Sequence, residues 1–171
     1  GQDEAWDHIE WSSRAAEVAR SSDAVCFGTL GQRNPQSREL IKRLVRETPQ
    51  DSLRVLDLNL RPPFDVPEVI HSSLKIANVL KINDDELNVL SDLLGLQGVG
   101  EVERVEELAQ RSDFVAIALT LGDRGAVVHR DGETVVVESQ PVSLVDTVGA
   151  GDSFTAAFVM GLIAKADRSE E

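Results

Sequence analysis

The segment from Asp146 to Leu162, DTVGAGDSFTAAFVMGL, combines a turn of small residues, a carboxylate and an apolar helical pattern. Gly149, Ala150 and Gly151 have little or no side chain, so their backbone N–H groups can approach an anion at the start of the helix predicted over 153–163. The unpaired amides and the helix dipole both favour negative charge there. The pattern therefore predicts an anion site, and a phosphate suits it best.

Two acidic residues flank this turn. Asp152 would accept a proton from a hydroxyl that attacks the bound phosphate, although a carboxylate in the first turn of a helix is also favoured by the dipole alone. The oxygens of Asp146 and Thr147 could cap the helix, fix the loop or ligate a monovalent cation. The residues by themselves leave these alternatives open.

A second polar cluster is DLNLR, in which Asp57, Asn59 and Arg61 alternate at the end of a predicted strand. Alternation places all three side chains on one face, and that face could meet a ligand. The alternative is a sheet edge closed by hydrogen bonds, with Arg61 at the surface.

The NDDE segment, Asn83 to Glu86, joins a predicted strand to a helix. Asn83 and Glu86 have the spacing of a helix capping box. They could instead organise Mg²⁺ through water near phosphate oxygens, since hard cations prefer oxygen ligands.

The segment TLGDRG, Thr120 to Gly125, follows the most apolar predicted strand. Gly122 and Gly125 permit backbone turns that side chains would block, so a nucleotide could lie close to the chain. The alternative is an ordinary turn between two strands.

These clusters require a scaffold, which the alternation of elements supplies. Strand-like apolar runs at 24–28, 53–59, 78–83 and 114–122 alternate with amphipathic helical segments, and a further helix is predicted over 5–20. Near-continuous apolar strands are typical of parallel sheets with both faces covered. We therefore predict an α/β fold, a doubly wound and mostly parallel sheet flanked by helices, within one domain over residues 1–171 that has no evident linker.

An Asp131–Gly132 pair between two β-rich runs predicts a tight hairpin ahead of the final helix. Open α/β sheets bind ligands beyond the carboxyl ends of their strands, usually between two groups of loops. Only one such group is recognisable here.

Composition narrows the class of function. The formal net charge of −13 repels nucleic acids and anionic membranes, so we expect neither as a partner. No run approaches the roughly 18 apolar residues of a membrane span. The single Cys26 is predicted to be a buried thiol and cannot form an internal disulfide, which favours the cytoplasm. The three histidines are far apart in sequence, without the spacing of a transition-metal site.

Taken together, the order DLNLR, KINDDE, TLGDRG, DTVGAGD resembles the ribokinase/PfkB family of carbohydrate kinases. DTVGAGDSFTAAFVMGL is similar to the C-terminal signature of that family almost throughout. The segment SSDAVCFGTLGQRNPQSRELI resembles the fructokinase-like branch, so the resemblance extends from about Trp6 to Ile163. It implies a ribokinase-like fold and ATP-dependent phosphorylation of a sugar hydroxyl.

The resemblance assigns the phosphoryl-transfer residues to the glycine turn. It implies that Asp152 is the catalytic base and that Gly149, Ala150 and Gly151, together with Asp152, supply the amides of an anion hole. It places Asp146 near a monovalent cation site, for which K⁺ is the expected ion.

The resemblance also assigns roles to the other clusters. Asn83 and Glu86 correspond to a motif tied to Mg²⁺, through water, and to phosphate. Arg61 would lie near the phosphate or the sugar, and we expect Asn59 beside it. The residues implied at the ATP site are Thr120, Gly122 and Gly125.

One departure from the family pattern concerns completeness. The N-terminal portion, with its Gly-Gly signature, most sugar-binding residues and a β lid, is not found, nor is the C-terminal end that completes the adenine pocket. The chain resembles the nucleotide half of a kinase, and we expect these 171 residues alone to be inactive. The alternative is a catalytically incomplete nucleotide-binding or interaction module.

Within the superfamily, a kinase for a vitamin precursor or a nucleoside is a further alternative, but DLNLR and GTLGQR favour sugars. The expected ligands are therefore ATP and a small sugar. The sequence leaves open whether the chain forms a homodimer.

Overall fold

The computed structural model describes residues 4–139 and 149–168, with the side chains of 166–168 left out. The chain divides into two compact units, Gly1–Ser139 and Gln140–Glu171. The first unit contains the sheet and the second contains the last helix.

The first unit is built on a mixed sheet of six strands in the order β1-β2-β3-β4-β5-β6. Strands β1 to β4 pair in parallel, whereas β5 and β6 are antiparallel to their neighbours. The strands are β1 (Ala24–Phe27), β2 (Leu53–Asp57), β3 (Val79–Asn83), β4 (Ala116–Thr120), β5 (Ala126–Arg130) and β6 (Glu133–Val137). The predicted α/β fold with a mostly parallel sheet is confirmed.

Helix α1 (Ser13–Arg20) precedes β1. The parallel strands are connected by α2 (Pro35–Glu47), α3 (Pro67–Leu74), α4 (Asp84–Leu94) and α5 (Glu101–Gln110), and α6 (Ala150–Arg168) lies in the second unit. Short 3₁₀ turns lie at Ala5–His8, Leu30–Gln32 and Gly122–Arg124. Local signals set several helix starts: Asn34 caps α2 ahead of Pro35, because its side chain accepts from the amides of Gln36 and Ser37.

The core lies between the sheet and the helices that follow its strands. Alternating strand residues such as Leu56, Leu80 and Leu119 join helical Leu87 and Leu90 in one apolar cluster. Residues of the opposite strand face, including Val55, Val79 and Ala118, are also fully buried. The central strands are thus covered on both faces, as their continuous apolar runs predict.

The N-terminal helix predicted over 5–20 is wrong in its extent. Ala5–His8 form a 3₁₀ turn and α1 begins only at Ser13. Two separate caps explain the break: Glu4 and Asp7 form a capping box around the first turn, and the Ser12 side chain accepts from the Ala15 amide.

The predicted hairpin is confirmed. Arg130 pairs with Glu133, and the two residues between them, Asp131 and Gly132, have φ of 55° and 79°. Positive φ at both central positions is the conformation that Asp-Gly turns favour.

The expectation of a buried Cys26 thiol is wrong, because Cys26 is exposed. Its neighbours Val25 and Phe27 alternate onto the face that packs against the core cluster, so Cys26 points to the other face of an edge strand. Within the part of the chain that the structure describes, none of the helices has the length and apolar character needed to cross a bilayer.

Candidate functional site

The candidate site of the first unit lies at one edge of the sheet. Because β1 to β4 are parallel, the segments that follow them all leave from the same, carboxyl edge. Those segments carry DLNLR, NDDE and TLGDRG. Three of the four clusters predicted from sequence therefore share one edge, where open α/β sheets bind their ligands.

Asn83 and Glu86 form a complete capping box at the start of α4. The Asn83 Oδ1 accepts from the Glu86 amide at 2.8 Å, and the Glu86 Oε2 accepts from the Asn83 amide at 2.9 Å. The capping interpretation of NDDE is therefore confirmed. The cap does not test whether Asn83 and Glu86 also act near a bound phosphate.

Glu86 also reaches outside its own helix. Its Oε1 accepts from the backbone amide of Leu60 at 2.8 Å, which connects α4 to the segment that follows β2. Burial raises the pKa of Glu86, while the hydrogen bonds from Asn83 and Leu60 oppose that rise. A buried carboxylate with both oxygens on amides is held in one orientation.

The DLNLR segment is not the continuous strand end that its alternation predicts. Strand β2 ends at Asp57, and Asn59 has a left-handed backbone with φ of 43°. Asn tolerates this conformation better than most residues. Asp57 is half-buried and paired with Lys81, whereas Asn59 and Arg61 are exposed. The expectation that all three share one strand face is wrong, since the chain leaves the sheet after Asp57.

The TLGDRG segment begins at the last residue of β4. Thr120 is the register partner of Asn83, and its hydroxyl donates to the Ile82 carbonyl at 3.3 Å. Gly122 (φ 61°) and Gly125 (φ 100°) have backbone conformations that favour glycine. Gly125 has no room for a side chain, because an added Cβ would lie 1.9 Å from the Val137 carbonyl oxygen. No described residue comes within 4 Å of a Cβ added at Gly122.

Arg124 is missing from the residues that the sequence predicts for this edge, although it lies between the two glycines of TLGDRG. Its Nη1 donates to Glu101 at 2.8 Å and its Nη2 donates to Asp84 at 3.1 Å. It joins the glycine turn to the first residues of α4 and α5. Arg124 could have been found from the sequence, because it lies inside TLGDRG, the motif that was selected for its glycines.

Two buried charges near the edge are also missing from the sequence predictions. Lys81 donates to Asp57 at 3.1 Å across the β2–β3 pair. Arg33 pairs with Asp7 through two hydrogen bonds, of 2.8 and 2.5 Å, and its guanidinium lies 4.7 Å from the Phe64 ring centroid. The partners are 24 and 26 residues apart in sequence, so no local pattern connects them.

The fourth cluster lies in the second unit. The final helix begins at Ala150, three residues earlier than its predicted start at 153, so Gly151 and Asp152 belong to its first turn. The Ser153 amide donates to the Gly149 carbonyl at 2.9 Å, and Gly149 has φ of 77°. The amides that precede Ser153 have no acceptor within the helix, which is the condition for an anion site. Asp152 is exposed. Asp146, the residue expected near K⁺, is outside the described residues.

The side chains at the carboxyl edge limit how a magnesium ion could bind there. Among residues 4–139 and 149–165, no three His, Cys, Asp or Glu side chains are grouped to hold a metal ion. The Asn83 Oδ1 and both Glu86 oxygens already accept backbone N–H groups. These residues do not fit direct coordination of Mg²⁺. The arrangement fits an ion that keeps its waters and arrives on nucleotide phosphates, as Mg²⁺ commonly does.

A groove of about 390 Å³ lies at the other, amino edge of the sheet and contains none of the predicted site residues. Its lining includes His71, Lys75, Arg111 and Phe114. It is therefore separate from the carboxyl edge.

Known proteins similar to this chain include sugar kinases. The profile of pfkB family carbohydrate kinases matches residues 9–170. An uncharacterized sugar kinase of Pyrococcus horikoshii is 30% identical over 154 residues, which cover 86% of this chain and 45% of that protein. A fructokinase of Rhizobium leguminosarum bv. trifolii is 30% identical over 151 residues, which cover 85% of this chain and 44% of the fructokinase. The chain spans a little under half the length of both.

Solved structures agree with the fold. The crystal structure of the Pyrococcus horikoshii protein in complex with ATP aligns with a TM-score of 0.70 at 26% identity, over 86% of this chain and 46% of that chain. A fructokinase of Xylella fastidiosa with bound ATP aligns with a TM-score of 0.71 at 16% identity, over 84% and 45%. At 16% identity, the similarity to the Xylella fastidiosa fructokinase supports the fold alone.

Proposed function

Since the chain belongs to the pfkB family of carbohydrate kinases, we propose that it forms the nucleotide-binding half of an enzyme that transfers the γ-phosphoryl group of ATP to a sugar hydroxyl. The observation that carries this proposal is the meeting of DLNLR, NDDE and TLGDRG at one carboxyl edge, joined by the Glu86–Leu60 and Arg124–Asp84 hydrogen bonds. Fructokinase is the name of one of the similar proteins, so a ketose is the first acceptor to test.

In this proposal, Asp152 is the catalytic base. Its carboxylate takes the proton of the acceptor hydroxyl as the hydroxyl oxygen attacks the γ-phosphorus in line. The new bond forms to that oxygen, the bond from the γ-phosphorus to the β–γ bridging oxygen breaks, and ADP leaves. The exposed position of Asp152 in the first turn of α6 supports this role, because its carboxylate is accessible to a ligand.

The amides at 149–152 would bind the oxygens of the transferring phosphoryl group. Preorganised donors aimed at developing negative charge are worth roughly 3 kcal/mol each in other enzymes. The positive φ of Gly149 and the first hydrogen bond of the helix, Ser153 to Gly149, support this role because they leave the preceding amides outside the helical ladder.

The ATP would lie along the carboxyl edge. Thr120, Gly122 and Gly125 would border the nucleotide, and Gly122 offers the closest approach because none of the described residues lies within 4 Å of a Cβ added there. Mg²⁺ is part of the substrate, as MgATP, and Asn83 and Glu86 would contact it through its waters. Asp146 would contribute to a K⁺ site.

Arg61, with Asn59, would face the acceptor sugar or the phosphate. Both residues are exposed, and the segment that carries them is bonded to α4 through Leu60. An exposed guanidinium beside the nucleotide edge is a suitable partner for phosphate oxygens and for sugar hydroxyls.

A second candidate function is a nucleotide-binding or interaction module without catalysis. Its support is the length of the chain, which covers 45% of one similar kinase and 44% of another. We propose that the 171 residues bind MgATP and do not turn over by themselves.

Calorimetric titration of the purified chain with MgATP, followed by a coupled assay of ADP release with and without fructose, tests both functions. Binding without sugar-dependent ADP release supports the nucleotide half of a kinase, and turnover by this chain alone would refute the module. Absence of MgATP binding would refute the ATP site. Gly122→Asn, which adds a side chain beside the proposed nucleotide path at a left-handed φ that asparagine tolerates, is expected to weaken binding, and Gly95→Asn, at a matched φ of 64°, is the control.

A further inference from the structure

Glu86 makes one hydrogen bond that its helix does not need. The bond between Glu86 Oε2 and the Asn83 amide completes the cap of α4. The bond between Glu86 Oε1 and the Leu60 amide, at 2.8 Å, spans 26 residues and ends on a segment that follows a different strand. The side chain is only 4% exposed, so a bond to that amide replaces water on both groups. Helix capping therefore explains the hydrogen bond from the Asn83 amide to Glu86, but not the one from the Leu60 amide.

The segment that Glu86 reaches is held at two further points. The Leu58 amide donates to the Lys81 carbonyl at 3.1 Å, and the Thr29 hydroxyl donates to the Leu58 carbonyl at 2.9 Å. Asn59 then takes its left-handed conformation, and the next amide, that of Leu60, is the one bound by Glu86. A left-handed residue persists where its surroundings determine the backbone on both sides. The hydrogen bond from the Leu60 amide to Glu86 fixes the backbone on the carboxyl side of Asn59.

Arg61 follows directly and is bracketed by anchors. On its amino side, Leu60 is bound by Glu86. On its carboxyl side, the Phe64 amide donates to the Arg61 carbonyl at 2.8 Å, and the Phe64 ring lies against the Arg33 guanidinium that Asp7 holds. The Arg61 side chain is exposed, so the backbone is what directs it.

We propose that Glu86 is a positioning residue: through the Leu60 amide, its buried carboxylate fixes the backbone from Leu58 to Arg61 and thereby directs Arg61 toward the acceptor. The proposal rests on the proposed function of Arg61. It gives Glu86 a task other than holding a metal ion, since both of its oxygens are committed to amides.

Glu86→Gln provides the direct test. The glutamine side chain has a single acceptor oxygen. The backbone amide of either Leu60 or Asn83 would therefore face the NH₂ group of the glutamine, which cannot accept its hydrogen bond. Asn83→Ala is the matched control, because it weakens the same cap and leaves the bond from Leu60 to Glu86 in place. Thr29→Val removes the hydroxyl that binds Leu58 without touching α4, and it keeps the test valid if Glu86→Gln folds poorly.

The first readout is hydrogen exchange at the Leu60 amide in the 171-residue chain, which does not depend on catalysis. We expect Glu86→Gln to accelerate that exchange about tenfold, and Asn83→Ala to leave it within about twofold. Thr29→Val should accelerate exchange over 58–61. Equal exchange in all variants, or equal acceleration by Glu86→Gln and Asn83→Ala, would overturn the proposal.

The second readout is steady-state kinetics on the active polypeptide in which this segment occurs. Glu86→Gln is expected to raise the sugar KM by about the same factor as Arg61→Ala, with little further rise in the double variant, because both act through one side chain. Only the sugar KM bears on the positioning role, because Glu86 is also proposed to contact MgATP through water. A raised Mg²⁺ requirement with an unchanged sugar KM in Glu86→Gln would overturn the proposal in favour of a metal role. An unchanged sugar KM in Arg61→Ala would instead refute the proposed function of Arg61, while the exchange result at Leu60 would stand.

Discussion

Lys81 and Asp57 form an ion pair across neighbouring parallel strands, with the lysine Nζ 3.1 Å from the aspartate Oδ1. Their side chains are 9% and 18% exposed. Asp57 is the first residue of DLNLR and Lys81 lies two residues before Asn83, so the pair connects the two strands close to where both clusters leave the sheet.

Removing the cation should be costly. Lys81→Met leaves the Asp57 carboxylate without its buried partner, and we expect a loss of about 3 kcal/mol in the free energy of unfolding, measured by urea denaturation. The double variant with Asp57→Leu should lose less than the two single variants together, because no unpaired charge remains. The exposed Lys75→Met is the control and should stay within about 0.5 kcal/mol of the parent. Strictly additive losses would contradict the pairing.

Acid should weaken the contact between the N-terminal turn and Arg33. The hydrogen bonds from Arg33, followed by the hydrogen bond from the Glu4 amide, hold the pKa of Asp7 well below its usual value of 3.8. A lowered pKa in the folded state means that the unfolded chain binds more protons, so this contribution is complete above that usual value and is lost as the pH falls below it.

Asp7→Asn should therefore be less stable than the parent at pH 7, and the difference should narrow as the pH falls from about 5 toward 2. Urea midpoints across that range provide the measurement. Glu10→Gln, at an exposed position nearby, is the control, with an expected difference that does not narrow. A constant difference for Asp7→Asn would show that the pairing does not shift this titration.

Gly125 should tolerate no side chain. Gly125→Ala places a Cβ 1.9 Å from the Val137 carbonyl oxygen and 2.8 Å from the Ser139 nitrogen, at a φ of 100°. Strain and overlap together predict a loss of about 3 kcal/mol or more in the free energy of unfolding. Gly95→Ala is the matched control: its φ of 64° is also positive, but nothing lies within 4 Å, so only about 1 kcal/mol is expected. Equal losses would mean that the overlap is relieved by movement of β6.

Catalysis should depend on Asp152 far more than nucleotide binding does. In the active polypeptide that contains this segment, Asp152→Asn is expected to lower kcat by about 10²–10⁴, the usual contribution of a general base. The affinity for MgATP, measured by calorimetry, should change by less than about threefold, because the amides at 149–152 remain. Asp113→Asn should leave both quantities unchanged. Full turnover in Asp152→Asn would exclude it as the base.

Local patterns in the sequence determined the scaffold. Continuous apolar runs identify strands that are buried on both faces, and the Asp131–Gly132 pair fixes a two-residue hairpin, since both features act within a few residues along the chain. The spacing of Asn83 and Glu86 likewise predicts the cap of α4, which the structure contains. The resemblance to the sugar kinases rests on the same local segments.

Only the tertiary structure decided which distant groups meet. Lys81 finds Asp57, Glu86 finds Leu60, and Arg124 finds Asp84 across 24, 26 and 40 residues of sequence. Periodicity states which face a side chain takes, but the pairing of strands and the exit direction of each loop select its partner. For the same reason the alternation of DLNLR failed beyond Asp57: the left-handed backbone at Asn59 is sustained by contacts from three other elements, and no rule of local spacing contains them.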